Sequence, residues 1–359
     1  MKTTIMDYVD WRGDLSFKKS PFNEVDNVIF SMLIYLDLER TMKNAKNTFP
    51  TLAEGIDTFF EQYDYKTYKF GLIVPSKIKD LAKKVQKTKR YGRLLILDYI
   101  KEVSAEARTQ FCAGTFLLDD GNILIVFEGT DDSIAGWYED FEMFVNKETL
   151  AQKKAVRYVN EMAKMFSNKN IYICGHSKGG NLAYYSAMFC DDNVKDRIIN
   201  IYNSDGPGLI YDRYDEDKAK IIDEKGITVV PNSAIIGAIF DQRGEIRIVE
   251  SKVRNLFQHD PFELVVIGKE FTRCEKFTKS TTNIQKELKK LYFSTTEEEA
   301  RRCIDKIYTM LYNENKRTLT DLKITDYNII NKFIKADKQD KEVIKKFASI
   351  LINNNAFIK

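Results

Sequence analysis

A short apolar run, Ile171-Tyr172-Ile173-Cys174, leads directly into Gly175-His176-Ser177-Lys178-Gly179-Gly180 and then into Asn181-Leu182-Ala183-Tyr184-Tyr185. The first segment reads as a buried strand and the last as the start of a helix over Lys178–Cys190, so the chain must reverse within a few residues between them. A reversal that sharp needs residues without side chains two positions to either side of its centre, where strand and helix come closest. The junction therefore commits the chain to a strand–turn–helix unit. It also places Ser177 at the carboxyl end of a strand and at the positive end of a helix. A glycine-rich turn with an incidental serine is the plainer alternative, and the strand before it and helix after it favour the sharp elbow.

The rest of the chain extends this unit. Residues 1 to about 90 read as amphipathic helices, with Ser20-Pro21-Phe22-Asn23-Glu24 opening a helical run over Val25 to Leu38. Thr109–Leu118 and Ile123–Phe127 flank Asp119-Asp120-Gly121-Asn122, which predicts a hairpin. Ala151–Phe166 reads as a helix, and Ile198–Tyr202, Ile227–Val230 and Glu245–Glu250 as further strands. Strands alternating with helices imply βαβ units and a mostly parallel sheet flanked by helices. Beyond about residue 272 the strand signal ends. Thr295-Thr296-Glu297-Glu298 resembles a capping box, and Cys303, Ile304, Ile307, Tyr308 and Leu311 share one helical face. Two more helices are expected over Leu322–Ile334 and Val343–Ile352. The expected organisation is an α/β domain over residues 1–272, including its N-terminal helical segment, and a helical extension over 273–359.

Composition narrows the function classes. Fifty-six Lys and Arg against 53 Asp and Glu leave a formal charge of +3, not the basic excess on which nucleic-acid affinity depends. The Lys-rich run Lys77–Lys89 reads as a solvated helix face. MKTTIMDYVDWRGD has no apolar stretch after a basic one, which reads as no secretory signal. No run approaches the ~18 apolar residues of a membrane span. The five cysteines, Cys112, Cys174, Cys190, Cys274 and Cys303, form no CxxC pair and no metal-ligand spacing with a histidine. They read as reduced core thiols of a cytoplasmic protein. No metal or organic cofactor is expected.

A serine hydroxyl becomes a useful nucleophile only when a base takes its proton. The chain holds two histidines. His176 adjoins Ser177 and points away from it, which suits packing or a local hydrogen bond. His259, in Gln258-His259-Asp260-Pro261 after a late strand, is the candidate base. The order Ser…Asp…His directs the search for the acid to the segment between them, at the ends of strands. Asp205, after Ile198–Ser204 and before Gly206-Pro207-Gly208, is the candidate, although turn chemistry alone also explains an aspartate there. The next strand ends in Pro231-Asn232-Ser233, without a carboxylate. Asp241 lies in a turn, and Asp260 is too close in sequence to orient its neighbour. The developing oxyanion needs amide donors. These are the Lys178 amide and that of Thr130, in the loop Gly129-Thr130-Asp131-Asp132 after an early strand. The Lys178 side chain is expected to face solvent. Trp137 either lines the site or packs in the core. Ala234–Phe240 is core or acyl-pocket wall, and the charged segment Leu209 to Lys225 is a candidate cap.

Taken together, Phe127-Glu128-Gly129-Thr130-Asp131-Asp132, Gly136-Trp137, Glu139-Asp140-Phe141 and Gly175–Ala183 resemble the bacterial Mbeg-like family of unknown function. That family is similar to the class-3, fungal-type lipases of the α/β-hydrolase clan. The opening Trp11–Phe17 and Ser20–Asp26 and the later blocks Asp205–Gly208, Pro231–Gly237 and Gln258–Pro261 resemble it too, so the likeness covers about residues 5 to 270. It implies an α/β-hydrolase-like fold with Ser177 and His259 in lipase-like roles. Two departures stand out: Glu128 where Arg is commoner, and Asn232 and Ser233 where class-3 lipases carry their acid. The expected function is hydrolysis of an ester or related acyl bond in a small-molecule or lipid-like substrate. The alternative is an inactive hydrolase-fold scaffold that binds a ligand or partner.

Overall fold

The computed structural model describes residues 2–45, 48–312 and 316–321, together with 342, 345, 349 and 353. Five helices come first: α1 (Ile5–Arg12), α2 (Glu24–Leu33), α3 (Glu39–Asn44), α4 (Leu52–Gln62) and α5 (Ile78–Gln86). A seven-stranded sheet follows, built from β1 (Leu95–Ser104), β2 (Thr109–Leu117), β3 (Ile123–Phe127), β4 (Ile171–His176), β5 (Ile198–Ser204), β6 (Gly226–Pro231) and β7 (Glu245–Val249). Helices α6 (Ile134–Val145) and α7 (Leu150–Met165) join β3 to β4. Helices α8 (Lys178–Phe189) and α9 (Asp192–Lys195) join β4 to β5, and α10 (Glu216–Lys225) joins β5 to β6. The two-residue strands β8 (Val266–Ile267) and β9 (Glu270–Phe271) form a small ladder before α11 (Lys279–Ser294) and α12 (Glu297–Leu311).

Strands β1 to β3 form an antiparallel meander, and β3 to β7 are parallel. Strand order equals chain order throughout. Because parallel crossovers are right-handed, strands added always in one direction carry their connecting helices to one face. The side chains show that segregation. Ile171, Ile173 and Ile201 pack in a cluster with residues of α7, α8 and α10. Their neighbours Tyr172, Cys174 and Tyr202 point to the other face, into a cluster with α1, α2, α4 and α5. The N-terminal helices therefore close a face that the crossovers leave bare. Helix α2 lies in this layer with every residue buried.

Several elements were not predicted. Strand β1 is one, because half-buried Lys101 and exposed Glu102 break its apolar alternation. Helix α6 is another: the hydroxyl of Ser133 caps it by accepting from the Gly136 amide at 3.0 Å, in a segment without clear period. Helix α11 was also missed. The candidate cap over Leu209 to Lys225 is corrected by α10, whose Ala219, Ile221 and Ile222 are buried in the same cluster as α8, making it an ordinary crossover helix. The capping box before α12 pairs Thr296 with Glu299. The helices expected over Leu322–Ile334 and Val343–Ile352 lie outside the described residues, apart from Lys345 and Ser349.

Candidate active site

The turn from β4 to α8 holds Ser177 at φ +56° and ψ −131°, a region that costs a non-glycine residue on the order of 1–3 kcal/mol. Two close approaches enforce it. A Cβ on Gly175 would come within 2.2 Å of the Gly179 carbonyl carbon, and one on Gly179 within 2.2 Å of the Phe127 carbonyl oxygen. The Ser177 amide donates to the Ser204 carbonyl at 3.0 Å, tying the turn to the end of β5.

At that end the chain turns through Asp205, in the left-handed region at φ +46°, a conformation aspartate tolerates better than most residues. Asp205 is 4% exposed. One carboxylate oxygen accepts from the Gly237 amide at 3.1 Å, and the other lies 2.7 Å from His259 Nδ1. On the far side of the ring, His259 Nε2 lies 3.0 Å from Ser177 Oγ. Burial raises the Asp205 pKa, and its bonds to His259 and Gly237 oppose that rise. Upstream, the Asn27 amide of α2 donates to Ser204 Oγ at 2.6 Å, so the N-terminal layer braces the strand that delivers Asp205.

His259 ends a short 3₁₀ turn, Asn255–His259. Gln258, part of the block Gln258–Pro261 but without an expected role of its own, anchors this turn. It accepts from the Ser233 amide at 2.7 Å and donates to Asn232 Oδ1 at 3.1 Å and to the Val253 carbonyl at 2.7 Å. Asn232 and Ser233, which offer no acid, thus hold the histidine loop. Asp260 caps the next turn by accepting from the Phe262 amide, and Asp241 pairs with Lys289. Buried His176 packs against His259, with ring centroids 4.5 Å apart and planes tilted by 34°, and its Nε2 donates to the His259 carbonyl at 3.0 Å. Burial pushes its pKa well below the usual histidine range.

The loop after β3 runs along the other side of the serine. A Cβ on Gly129 would lie 3.3 Å from Ser177 Cβ. Thr130 follows, its hydroxyl donating to Asp140 Oδ2 on α6 at 2.6 Å and its carbonyl accepting from the Tyr35 hydroxyl at 3.4 Å. Burial lifts the Asp140 pKa to about 6, against the pull of Lys178 and Thr130. The Lys178 amide opens α8, where helix geometry provides no carbonyl partner. Its side chain corrects the expectation of solvent exposure: it is 1% exposed, and its Nζ donates to the Gln110 carbonyl at 2.8 Å, to Gln110 Oε1 and to Glu139 Oε2 at 3.2 Å. The reason lies in two distant elements, since Gln110 on β2 and Glu139 on α6 present acceptors where the side chain emerges. Gln110 also donates to Glu128 Oε2 at 2.8 Å and to the Gly129 carbonyl at 3.2 Å. Glu128 thus joins the network behind the loop, and burial raises its pKa. Trp137 is half-buried on α6.

The arrangement can move a proton from Ser177 Oγ to His259 Nε2 while Asp205 holds the opposite ring nitrogen. Among the described residues, no group of three or more His, Cys, Asp and Glu is placed to hold a metal ion, and no helix is long and apolar enough to cross a membrane. The Mbeg1-like family matches residues 85–309. Similar solved structures include a fungal lipase–inhibitor complex, at 14% identity over 62% of this chain and 79% of that one, with TM-score 0.38. Rhizomucor miehei lipase with its propeptide is similar at 14% identity over 59% and 61%, with TM-score 0.32. Lipase II from Rhizopus niveus is similar at 13% identity over 58% and 71%, with TM-score 0.34. No curated protein sequence matches.

Proposed function

The chain belongs to the Mbeg1-like family, matched over more than half its length, and from that premise and its Ser177–His259–Asp205 geometry we propose that it is a serine hydrolase cleaving an ester or related acyl bond. The observation that carries this reading is one imidazole bonded on one side to a strained serine and on the other to a buried carboxylate. His259 Nε2 takes the Ser177 proton as Oγ attacks the acyl carbon. The amides of Lys178 and Thr130 hold the oxyanion. His259 then protonates the departing alcohol, leaving an acyl-serine. Water attacks this ester, gives its proton to His259, and the acid leaves as Ser177 regains its hydrogen. Asp205 keeps the proton of neutral His259 on Nδ1 and stabilises the imidazolium that forms.

Labelling with a fluorophosphonate probe tests the proposal. Wild type should label and Ser177→Ala and His259→Ala should not, while Asp205→Asn should label slower by roughly 10³–10⁴-fold, in keeping with the loss of the correct tautomer. Folded wild-type protein that stays unlabelled rejects the hydrolase and leaves the scaffold reading.

A further inference from the structure

Residues packed around the Ser177 site reach, through neighbouring side chains, a cavity that the acyl-transfer chemistry does not use. On one side, Asp140 holds Thr130 and its neighbour Phe141 faces the cavity. On the other, the Gly237 amide holds Asp205 within a turn flanked by Ile235 and Ile239. These two pack with Ile284 and Leu288 of α11, with Phe144 of α6, and with Leu256, three residues before His259. Through Phe144 and Leu288 this apolar belt adjoins a groove of about 510 Å³ between α6, α11 and α12. Phe141, Phe144, Leu288, Leu291, Ile304 and Ile307 make much of its wall. Its polar groups are engaged elsewhere. Arg213 donates to the Phe144 and Asn146 carbonyls and to the Tyr292 hydroxyl, and Thr296 caps α12. The volume suits a small-molecule ligand, and a wall without directed donors discriminates by apolar area rather than by polar groups.

We propose that this groove binds the unbranched acyl chain of a lipid-like ester, whose carbonyl is then presented to Ser177. The proposal rests on the serine-hydrolase reading for its chemistry and on the apolar belt for its placement. Two helices beyond the strand-bearing part of the chain, α11 and α12, become the determinants of acyl-chain length.

The test separates binding from turnover. Full-length Ser177→Ala protein is titrated with the fluorescent fatty acid cis-parinaric acid, beside the same protein carrying Ala300→Trp, which fills the groove, or Leu291→Glu, which charges it. The comparison uses variants whose melting curves match the parent. Saturable binding that weakens at least about tenfold in either variant is expected, because methylenes of the chain then stay in water instead of being buried. With active protein, the KM for p-nitrophenyl esters should fall from butyrate to octanoate to palmitate, and Ala300→Trp in the groove wall should flatten that trend. Absent binding, or binding equal in parent and variants, overturns the proposal and leaves the groove to a protein segment. Groove-dependent binding without ester turnover or fluorophosphonate labelling upholds the acyl-chain site and rejects the hydrolase reading instead.

Discussion

His176 sits beside the proposed nucleophile without touching its hydroxyl in any hydrogen bond described above, yet it carries a titration. Its Nε2 donates to the His259 carbonyl, and its buried Nδ1 finds no protein partner. A second proton on this ring would be both desolvated and unpaired, so the folded protein holds it neutral far below the ordinary value of 6.5. Unfolding therefore takes up a proton between the folded value and 6.5. The stability this residue contributes is fully present above about pH 6.5 and falls as pH drops, by up to ~1.4 kcal/mol per pH unit. Buried Asp140, Asp205 and Glu128 act in the opposite sense, because burial raises their pKa values and favours their protonated forms. Urea unfolding of wild type and His176→Gln, from roughly pH 7 to pH 5, isolates the histidine. The stability difference between them should shrink as pH falls, and a constant difference would rule out a buried neutral His176.

At the scale of elements, α2 explains why the N-terminal segment is more than a preface. A helix with no exposed residue depends on partners around its circumference. Its Asp26 carboxylate accepts from Arg90 Nε at 2.8 Å and the Tyr91 hydroxyl at 2.7 Å, and Arg90 also reaches the Ser20 carbonyl at 2.9 Å. Arg90 is 1% exposed and lies over the Phe17 ring, 3.9 Å from its centre. Removing one partner of a buried ion pair strands the other. Arg90→Met should cost about 3–5 kcal/mol in urea unfolding. Adding Asp26→Leu should restore part of that loss, since an uncompensated carboxylate is worse than an apolar pair. Because α2 also braces Ser204 through Asn27, the single variant should slow fluorophosphonate labelling more than the double one.

For the whole molecule, the sequential sheet sets the plan. It puts the crossover helices on one face, calls for the N-terminal helices on the other, and leaves the carboxyl ends of β3, β4 and β5 side by side. There the Gly129–Asp132 loop, proposed to hold the oxyanion, Ser177 and Asp205 emerge from adjacent strands. Helices α11 and α12 then close over α6. Ile304 and Tyr308 bury against Ile134 and Tyr138, and Ile284 and Leu288 against Ile235 and Ile239. With that apolar area shared, we propose that the α11–α12 pair unfolds together with the sheet. Calorimetry should give one cooperative transition, its van't Hoff and calorimetric enthalpies equal. A separate early transition would mark the C-terminal helices as an independent domain.

Local chemistry decided what the sequence could reveal. The β4–α8 turn is written in adjacent residues, because the steric demand for Gly175 and Gly179 acts over a few positions. The hairpin at Asp119–Asn122, the alternation of strands and helices, and a capping box near Thr295–Glu298, which the structure sets one residue later at Thr296 and Glu299, are legible for the same reason. Chain order made Asp205 the candidate acid, but only the tertiary structure places that carboxylate beside a histidine 54 residues away. The burial of Lys178 was illegible because its acceptors, Gln110 and Glu139, come from other elements. So were Gln258 as anchor of the histidine loop, α10 as a crossover, and the groove under α12. Spacing along a chain records steric needs between neighbours. Desolvation, ion pairing and enclosed volume depend on which distant surfaces meet, and that is settled when the sheet and its helices pack.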